Sequence, residues 1–444
     1  MFFLVYLFFF DVFQAEQIWL VKFPSTENSF SQIEKHFPLI DLIENHFSQS
    51  SFVLRIPKSS LSNFARFIHQ SDGFYRILSD DPTHTWRKSS IRSKRWTPPD
   101  NPLDESYYQH YLSYHEQQQW YDLLVNSSST KNFIRLHHIG QTYENRSLTV
   151  VQIHSDSSRR IRRRRARYAV FIDGGMHARE WLSIGVANYL LVQFLTLKES
   201  HPKLREILRH FDIYVLPIMN PDGYEYSRTT DRLWRKNRSP TSHSEFWNGM
   251  DSCYGVDLNR NFPYQWDTVH GSSMHPCSHS YRGPAAFSEK EVQSVRNFLR
   301  RQKYPHPKFH VYFNLHAYGR FWLLPWSYAL FTRTSNYDDI MKRCQRIATD
   351  VMNDTYKVGQ ASHLLYPCSG TSIDYAATLM PHAMTFELSP MFSPLPMCFR
   401  NNMTADQPCT VGFLSSPKMI EIDGKEIFNA IVEYLDSVRQ DIFV

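Results

Sequence analysis

The chain has 444 residues and a formal net charge of +6, and much of that excess sits in one run, Arg159–Arg167, so a general nucleic-acid role is not implied. An apolar share of 42%, 15% aromatic residues and 21% charged residues make a globular composition and exclude a largely disordered chain. The length exceeds one ordinary domain and suits two.

Residues 1–15, "MFFLVYLFFFDVFQA", form an apolar block too short to span a bilayer comfortably, ending in a small residue. It reads as a secretory signal peptide, although it lacks a basic start and Asp11 interrupts it. No later segment reaches membrane-spanning length without charges, so a secreted, soluble, extracellular product is expected. Six cysteines, an even number, and sequons at Asn126, Asn145, Asn353 and Asn402 agree with an oxidising compartment.

From residue 16 to residue 81, strand-like runs (17–23, 51–57, 74–78) alternate with helix-like ones (30–44, despite Pro38, and 60–70, with a Ser or Asn cap). A small α+β sandwich is expected. The polar stretch 84–100 reads as a basic linker, with Arg92-Ser93-Lys94-Arg95 a candidate processing site or a solvated charge run. After Trp96 the pattern changes. Short, nearly unbroken apolar strands (148–154, 167–173, 211–219, 309–316, 382–388) alternate with helices at 115–127, 180–195, 288–302 (capped by Ser288) and 424–438. This alternation predicts an α/β domain over 96–444, a mostly parallel sheet covered by helices on both faces. The Arg159–Arg167 run lies between two strands and reads as an exposed loop. A second protease-sensitive site or a polyanion-binding patch is the sharper alternative.

The chemistry concentrates at "GGMHAREW", residues 174–181, where a strand stops and a helix begins. His177 and Glu180 either grip a metal, or one caps the helix while the other is solvated. A third ligand is available in His316, which ends the strand 309–316, the position where crevices of open α/β sheets form. Two imidazoles and a carboxylate suit zinc and leave a position for water. His115-Glu116 looks like the start of HExxH, but the second histidine is missing, so it reads as a surface helix start. No Walker loop, GxGxxG, GxSxG elbow or CxxC pair is present. A metal hydrolase also needs a base and a cation for the developing oxyanion. Glu387 ends another apolar strand and suits the first task. Arg238 suits the second.

In order along the chain, "DGGMHAREW", "PIMNPDGYEYS", "LWRKNRS", "GVDLNRNFP", "FNLHAYG", "SGTSIDYA" and "MTFEL" resemble the zinc metallocarboxypeptidases of the pancreatic A/B type, from about Asp173 to Leu388. The amino-terminal part is similar in size and pattern to that family's inhibitory activation segment. The resemblance implies a signal peptide at 1–15, an activation segment with its linker at 16–95 and a zinc carboxypeptidase domain at 96–444. It implies one zinc per chain on His177, Glu180 and His316, with Glu387 as general base and Arg238 holding the oxyanion. Asn259 and Arg260 would grip the substrate's terminal carboxylate, and Tyr366 would close over it. Arg179 and Arg235 would make secondary substrate contacts, and Asp257 would orient His177. A guanidinium clamp of this kind recognises a free C-terminus, as an exopeptidase requires. Substrates are then peptide or protein C-termini, the activation segment is an intramolecular inhibitor, and a processing protease acts at Arg92–Arg95. A monomer is the default.

Ile373 matches the base of the family's specificity pocket. With Leu365, Thr371 and Thr385 it offers no charge, so apolar or aromatic C-terminal residues are favoured over Lys or Arg. Asn237-Arg238-Ser239 is a formal sequon, expected to be unmodified because a glycan there would crowd Arg238. The segment 388–411 is longer than the family's usual connection, with Cys398 and Cys409 placed to staple it. Cys253 and Cys277 fit a disulfide of the family, and a bond between the remaining Cys344 and Cys368 would tie the Tyr366 loop to a helix. The rival reading is a catalytically silent binding protein. Such proteins lose a ligand or the base, and here all are present.

Overall fold

Two sheets organise the residues described in the computed structural model, which are 17–23, 33, 36–46, 51–71, 74–79, 98–155, 168–241, 253–268, 271–300, 308–391 and 412–443. The expected signal peptide at 1–15, the candidate processing site at 92–95, the 159–167 run and the expected staple between positions 398 and 409 lie outside them.

The amino-terminal sheet is antiparallel in the order β2-β3-β1-β4, from β1 (Gln17–Lys22), β2 (Asp41–His46), β3 (Ser51–Ile56) and β4 (Phe74–Ser79). Helix α1 (Leu61–Gln70) lays Phe64 and Ile68 on Trp19, Val21, Phe52 and Leu54. Ser60 precedes α1 without a side-chain cap bond. The helix expected over 30–44 needs correction. Backbone is helical at Ile33 and His36, turns at Pro38–Leu39 and is extended in β2. Pro38 lacks the N–H that a continuing helix would use, and it disfavours helical φ/ψ at Phe37.

The larger sheet has the order β11-β10-β12-β9-β7-β8-β6-β5. Its strands are β5 (Ile134–Gln141), β6 (Ser147–Ile153), β7 (Tyr168–Asp173), β8 (Phe211–Leu216), β9 (Lys308–Gly319), β10 (Phe321–Leu324), β11 (Lys357–Gln360) and β12 (His382–Met391). Its centre, β12-β9-β7-β8, is parallel, while β10 on β12, β6 on β8 and β5 on β6 are antiparallel. The mixed, mostly parallel sheet is the expected class.

Around it lie α2 (Tyr114–Asn126), α3 (Trp181–Leu197), α4 (Pro202–His210), α5 (Pro221–Thr229), α6 (Lys290–Leu299), α7 (Tyr337–Asp350), α8 (Ser372–Leu379) and α9 (Lys418–Phe443). Strand β7 shows why its sequence is apolar without alternation. Val170 and Ile172 join the core with α3 and α9, and Ala169 and Phe171 join the opposite core with α6 and α8. Helix α3 is apolar nearly all round because α9 covers its outer side, and a side chain at Gly185 would meet Ile420 at 2.6 Å.

Two start signals resolve differently. Ser113 and Glu116 form a reciprocal capping box at α2, so the acid of the broken HExxH motif serves the helix start. Ser288 does not cap α6. The helix begins at Lys290, and the Ser288 hydroxyl donates to Glu289 Oε1 at 2.7 Å. Cys253 and Cys277 are disulfide-bonded. The pairing of Cys344 with Cys368 is corrected: both are free, and Cys344 is buried on α7 with Sγ 3.8 Å from Met384 Sδ. Asn237 is fully buried and its amide donates to Glu289 Oε2 at 2.7 Å, so a glycan on the folded chain is excluded.

Phe313 on β9 is fully buried, whereas Phe331 is 95% exposed. Phe313→Ala should cost roughly 3–5 kcal/mol and Phe331→Ala less than about 0.5 kcal/mol, read from urea unfolding midpoints.

Candidate active site

The site begins where β7 ends. Gly175 has φ +62°, and a side chain on Gly174 would stand 2.8 Å from the Ser183 carbonyl, so the two glycines allow the chain to turn tightly into α3. This turn presents His177 and Glu180. Glu180 occupies the N-cap position of α3 but makes no side-chain cap bond. It is 3% exposed, so it is neither cap nor solvated. Its Oε1 lies 2.7 Å from His177 Nδ1 and its Oε2 lies 2.8 Å from His316 Nδ1. His316 arrives on β9 and is the register partner of Glu387 on β12.

Asp257 ties the cluster to its surroundings. One oxygen takes His177 Nε2 at 3.1 Å and Asn259 N at 2.9 Å; the other takes Arg235 Nε at 3.1 Å and Nη2 at 2.8 Å. Arg235 Nη1 is 3.8 Å from Glu180 Oε1. The Asn259 amide is oriented by Ser372 N, which donates to its Oδ1 at 2.9 Å, leaving Nδ2 3.4 Å from His316 Nε2. Arg260 is held by its donors to Gly271 O (2.7 Å), Asn259 O (2.8 Å) and the Tyr366 hydroxyl (3.1 Å). Ile373 is buried in the first turn of α8, in the core beside Leu258 and Phe262.

Two predicted residues stand apart from this cluster. Arg179 faces the amino-terminal sheet, pairing with Asp41 and donating to Leu42 O at 3.2 Å. Arg238, expected at the oxyanion, requires correction. Its guanidinium lies 3.7 Å over the Tyr226 ring and 4.5 Å over that of Trp234. The arginine beside Glu180 is Arg235. Two residues separate them in one loop, and Arg235 is the one that pairs with the buried Asp257. Sequence reading also passed over Asp41, which fell in the misassigned helix, and His279, which has no motif around it.

The charges are interdependent. Burial alone would raise Glu180, but the two imidazoles outweigh it and hold the carboxyl below its ordinary value. Burial likewise opposes Asp257, which Arg235 and His177 hold well below the carboxylate range. His177 is lowered by burial and by Arg235, which favours the neutral imidazole a metal requires. Burial pushes Glu387 up to about 8, with His316 working against that and the Glu180 charge adding to it.

The donor set fits a zinc ion. One ligand atom from each of His177, Glu180 and His316 lies within 4.8 Å of the others. With the metal bound, Asp257 accepting from Nε2 would leave the Nδ1 lone pair of His177 free to ligate it. Three such donors leave a fourth position open.

A family model described as zinc carboxypeptidase matches residues 118–430. The chain belongs to the zinc carboxypeptidase family. It is 34% identical over 340 residues to carboxypeptidase A6 of Homo sapiens, covering 76% of this chain and 72% of that protein. It is 32% identical over 308 residues to carboxypeptidase O of Bos taurus, covering 68% and 73%. The crystal structure of carboxypeptidase A from Helicoverpa armigera shares its fold, with a TM-score of 0.79 at 22% identity over 97% of this chain and 99% of that one. The protein is thus a metallocarboxypeptidase using one catalytic zinc, which His177, Glu180 and His316 would hold.

Asp257→Asn keeps the size of the side chain but removes its charge. Zinc affinity, read by competition with a chromogenic chelator, should fall about 10–100-fold, with little change in far-ultraviolet circular dichroism.

Proposed function

We propose that the protein is a secreted carboxypeptidase zymogen that releases single apolar or aromatic residues from peptide C-termini. The observation that carries this reading is the group of Arg260, Tyr366 and Asn259 beside the His-Glu-His cluster, with Arg260 Nη2 3.1 Å from the Tyr366 hydroxyl and Asn259 Nδ2 3.4 Å from His316. A guanidinium, an amide and a phenol at one spot make a socket for a terminal carboxylate, and a chain continuing past the site would leave Arg260 without its anion.

Bound zinc supplies Lewis acidity toward the scissile carbonyl and makes water a usable nucleophile near neutral pH. Glu387, next to His316 across the β9–β12 register, takes the proton of the attacking water and passes it to the leaving amine. Arg235, held by Asp257, supplies the cation for the oxyanion in place of Arg238. Ile373 and its uncharged neighbours Thr371 and Thr385 favour an apolar C-terminal side chain, because an ammonium or guanidinium would find no counter-charge there.

Autoinhibition by residues 16–95 is supported by Asp41 on Arg179, the residue before the ligand Glu180, and by Arg55 Nη1 on Asp231 Oδ2 at 3.1 Å. Both contacts join the amino-terminal sheet to the part of the chain that carries the zinc ligands. Cutting within Arg92–Arg95 would free this segment, and residues 1–15 would direct export.

The chain cut with a trypsin-like protease should hydrolyse blocked dipeptides ending in Phe at least tenfold better than those ending in Arg, and a chelator should abolish both. A preference for Arg would refute the apolar pocket, and no turnover of either would favour the silent binding protein. Glu387→Gln should lower kcat by about 10²–10⁴ with KM little changed, measured on the Phe-ended substrate. Arg260→Ala should act chiefly on KM, raising it about 10–100-fold, as loss of a charge-assisted pair predicts.

A further inference from the structure

Asn237 is fully buried in the loop that carries Arg235, and each of its polar atoms is engaged. Its main-chain N–H donates to Val256 O at 3.1 Å, and its Oδ1 accepts from Val256 N at 2.8 Å. Its carbonyl accepts from Trp234 Nε1 at 3.2 Å. Beside it, Gly255 N donates to Ser239 O at 2.8 Å. Gly255 has φ +77°, and a side chain there would stand 2.1 Å from Asn237 O, so the two segments lie in direct contact. Arg235 comes two residues before Asn237, and Asp257 follows Val256. Their ion pair, 2.8 Å from Arg235 Nη2 to Asp257 Oδ2, therefore spans the same two segments that Asn237 joins.

The amide is oriented by the start of α6. Asn237 Nδ2 donates to Glu289 Oε2 at 2.7 Å and to Glu291 Oε2 at 3.2 Å. Glu289 is the N-cap residue of α6 and Glu291 lies in its first turn, and both are buried. An amide turned by half a rotation would set its Nδ2 against Val256 N, so the two acids select the orientation that joins the segments. Ser239 Oγ also donates to Glu289 Oε2, at 2.6 Å, whereas Glu291 Oε1 is buried without a hydrogen-bond partner among the described residues. Burial pushes Glu291 up to about 8, with the Glu289 charge adding to this and the Asn237 bond opposing it. Asp222 of α5, which pairs with Arg146, acts in the same direction as Glu289, while Lys236 and Tyr281 face Glu289. The main-chain N–H of Glu289 donates to Asn261 Oδ1 at 3.1 Å, beside Arg260. The start of α6 thus reaches both cationic loops, that of Arg235 through Asn237 and that of Arg260 through Asn261.

We propose that Asn237, clamped by Glu289 and Glu291, is a positioning residue that keeps Arg235 and Asp257 in register and so aims the Arg235 cation at the oxyanion. This rests on the reading of Arg235 as the oxyanion cation. A preorganised charge loses much of its effect when displaced by about 1 Å, so a clamp two residues away acts on the rate without touching substrate. The two loops separate this role from a general loosening of the fold. Loss of the Asn237 clamp acts on Arg235 and hence on kcat. Loosening the start of α6 would also free Asn261 and Arg260, and so raise KM. The clamp depends on pH as well. Below about 8 Glu291 keeps its proton, and one carboxylate and one carboxyl share the amide. Above it both groups carry charge, repel each other, and pull the amide out of its place.

The test uses the full chain cut with a trypsin-like protease, a blocked dipeptide ending in Phe, and rates expressed per bound zinc. Asn237→Ala should lower kcat about 10–100-fold and leave KM within about twofold. Glu291→Gln keeps the shape of the side chain and cannot ionise. The ratio of its kcat to that of the parent should be flat from about pH 6 to about pH 7 and rise at least about threefold by about pH 9.5. Titrations elsewhere in the site cancel in this ratio, and a merely structural role would not make it rise. The ratio decides alone if Asn237→Ala yields no folded protein. An unchanged kcat in Asn237→Ala, a KM that rises as much as kcat falls, or a ratio flat to about pH 9.5 would overturn the inference while leaving the carboxypeptidase reading intact. No hydrolysis by the parent enzyme would overturn both.

Discussion

The arrangement depends on one buried carboxylate placed between two imidazoles. Glu180 is nearly sealed from water, and an isolated carboxylate so placed would take a proton. It stays ionised because His177 and His316 face its two oxygens. Those histidines come from a turn after β7 and from the end of β9, adjacent parallel strands, so the charge balance is met only when the centre of the sheet is assembled. Asp257 extends the same balance outward, since it neutralises Arg235 and orients His177 at once. A change at any of these groups alters the charge of the others.

Alternation in the sequence revealed the architecture because parallel strands buried on both faces leave a simple trace. Residues 168–173 and 211–216 are apolar runs of strand length, each followed or preceded by helical spacing. The ligands were legible for a related reason, since strand ends hold few residues and acidic or imidazole groups there stand out. Short or edge elements left no such trace. Strands β10 and β11 are four residues each, too short for a period to show. Residues 30–44 failed because helical spacing continued on paper beyond Pro38, where the backbone could not follow it.

The site was less legible wherever a choice depended on rotation of a loop. Arg235 and Arg238 share a loop and a chemistry, and both find partners. One pairs with a buried carboxylate and the other stacks on aromatic rings. No local propensity separates these outcomes. What decides is that Asp257, buried and accepting from His177, needs a cation, and Arg235 is the one within reach. Cys344 and Cys368 show the same limit from the other side. Parity of cysteines suggested a bond, but a helix buries one of them against Met384.

The contact between the amino-terminal sheet and the larger domain has an energetic consequence. Asp41 is held in the charged form chiefly by Arg179 against the cost of its burial, with His279 and Arg55 assisting. A buried pair of this kind is costly to break on one side, yet contributes little net stability, because desolvation of both partners offsets their attraction. On the zymogen reading, the contact therefore blocks the site mainly because the linker keeps the segment at high effective concentration. Once the linker is cut, the same ion pair is an ordinary bimolecular contact, left with only its own small net contribution to hold the segment in place.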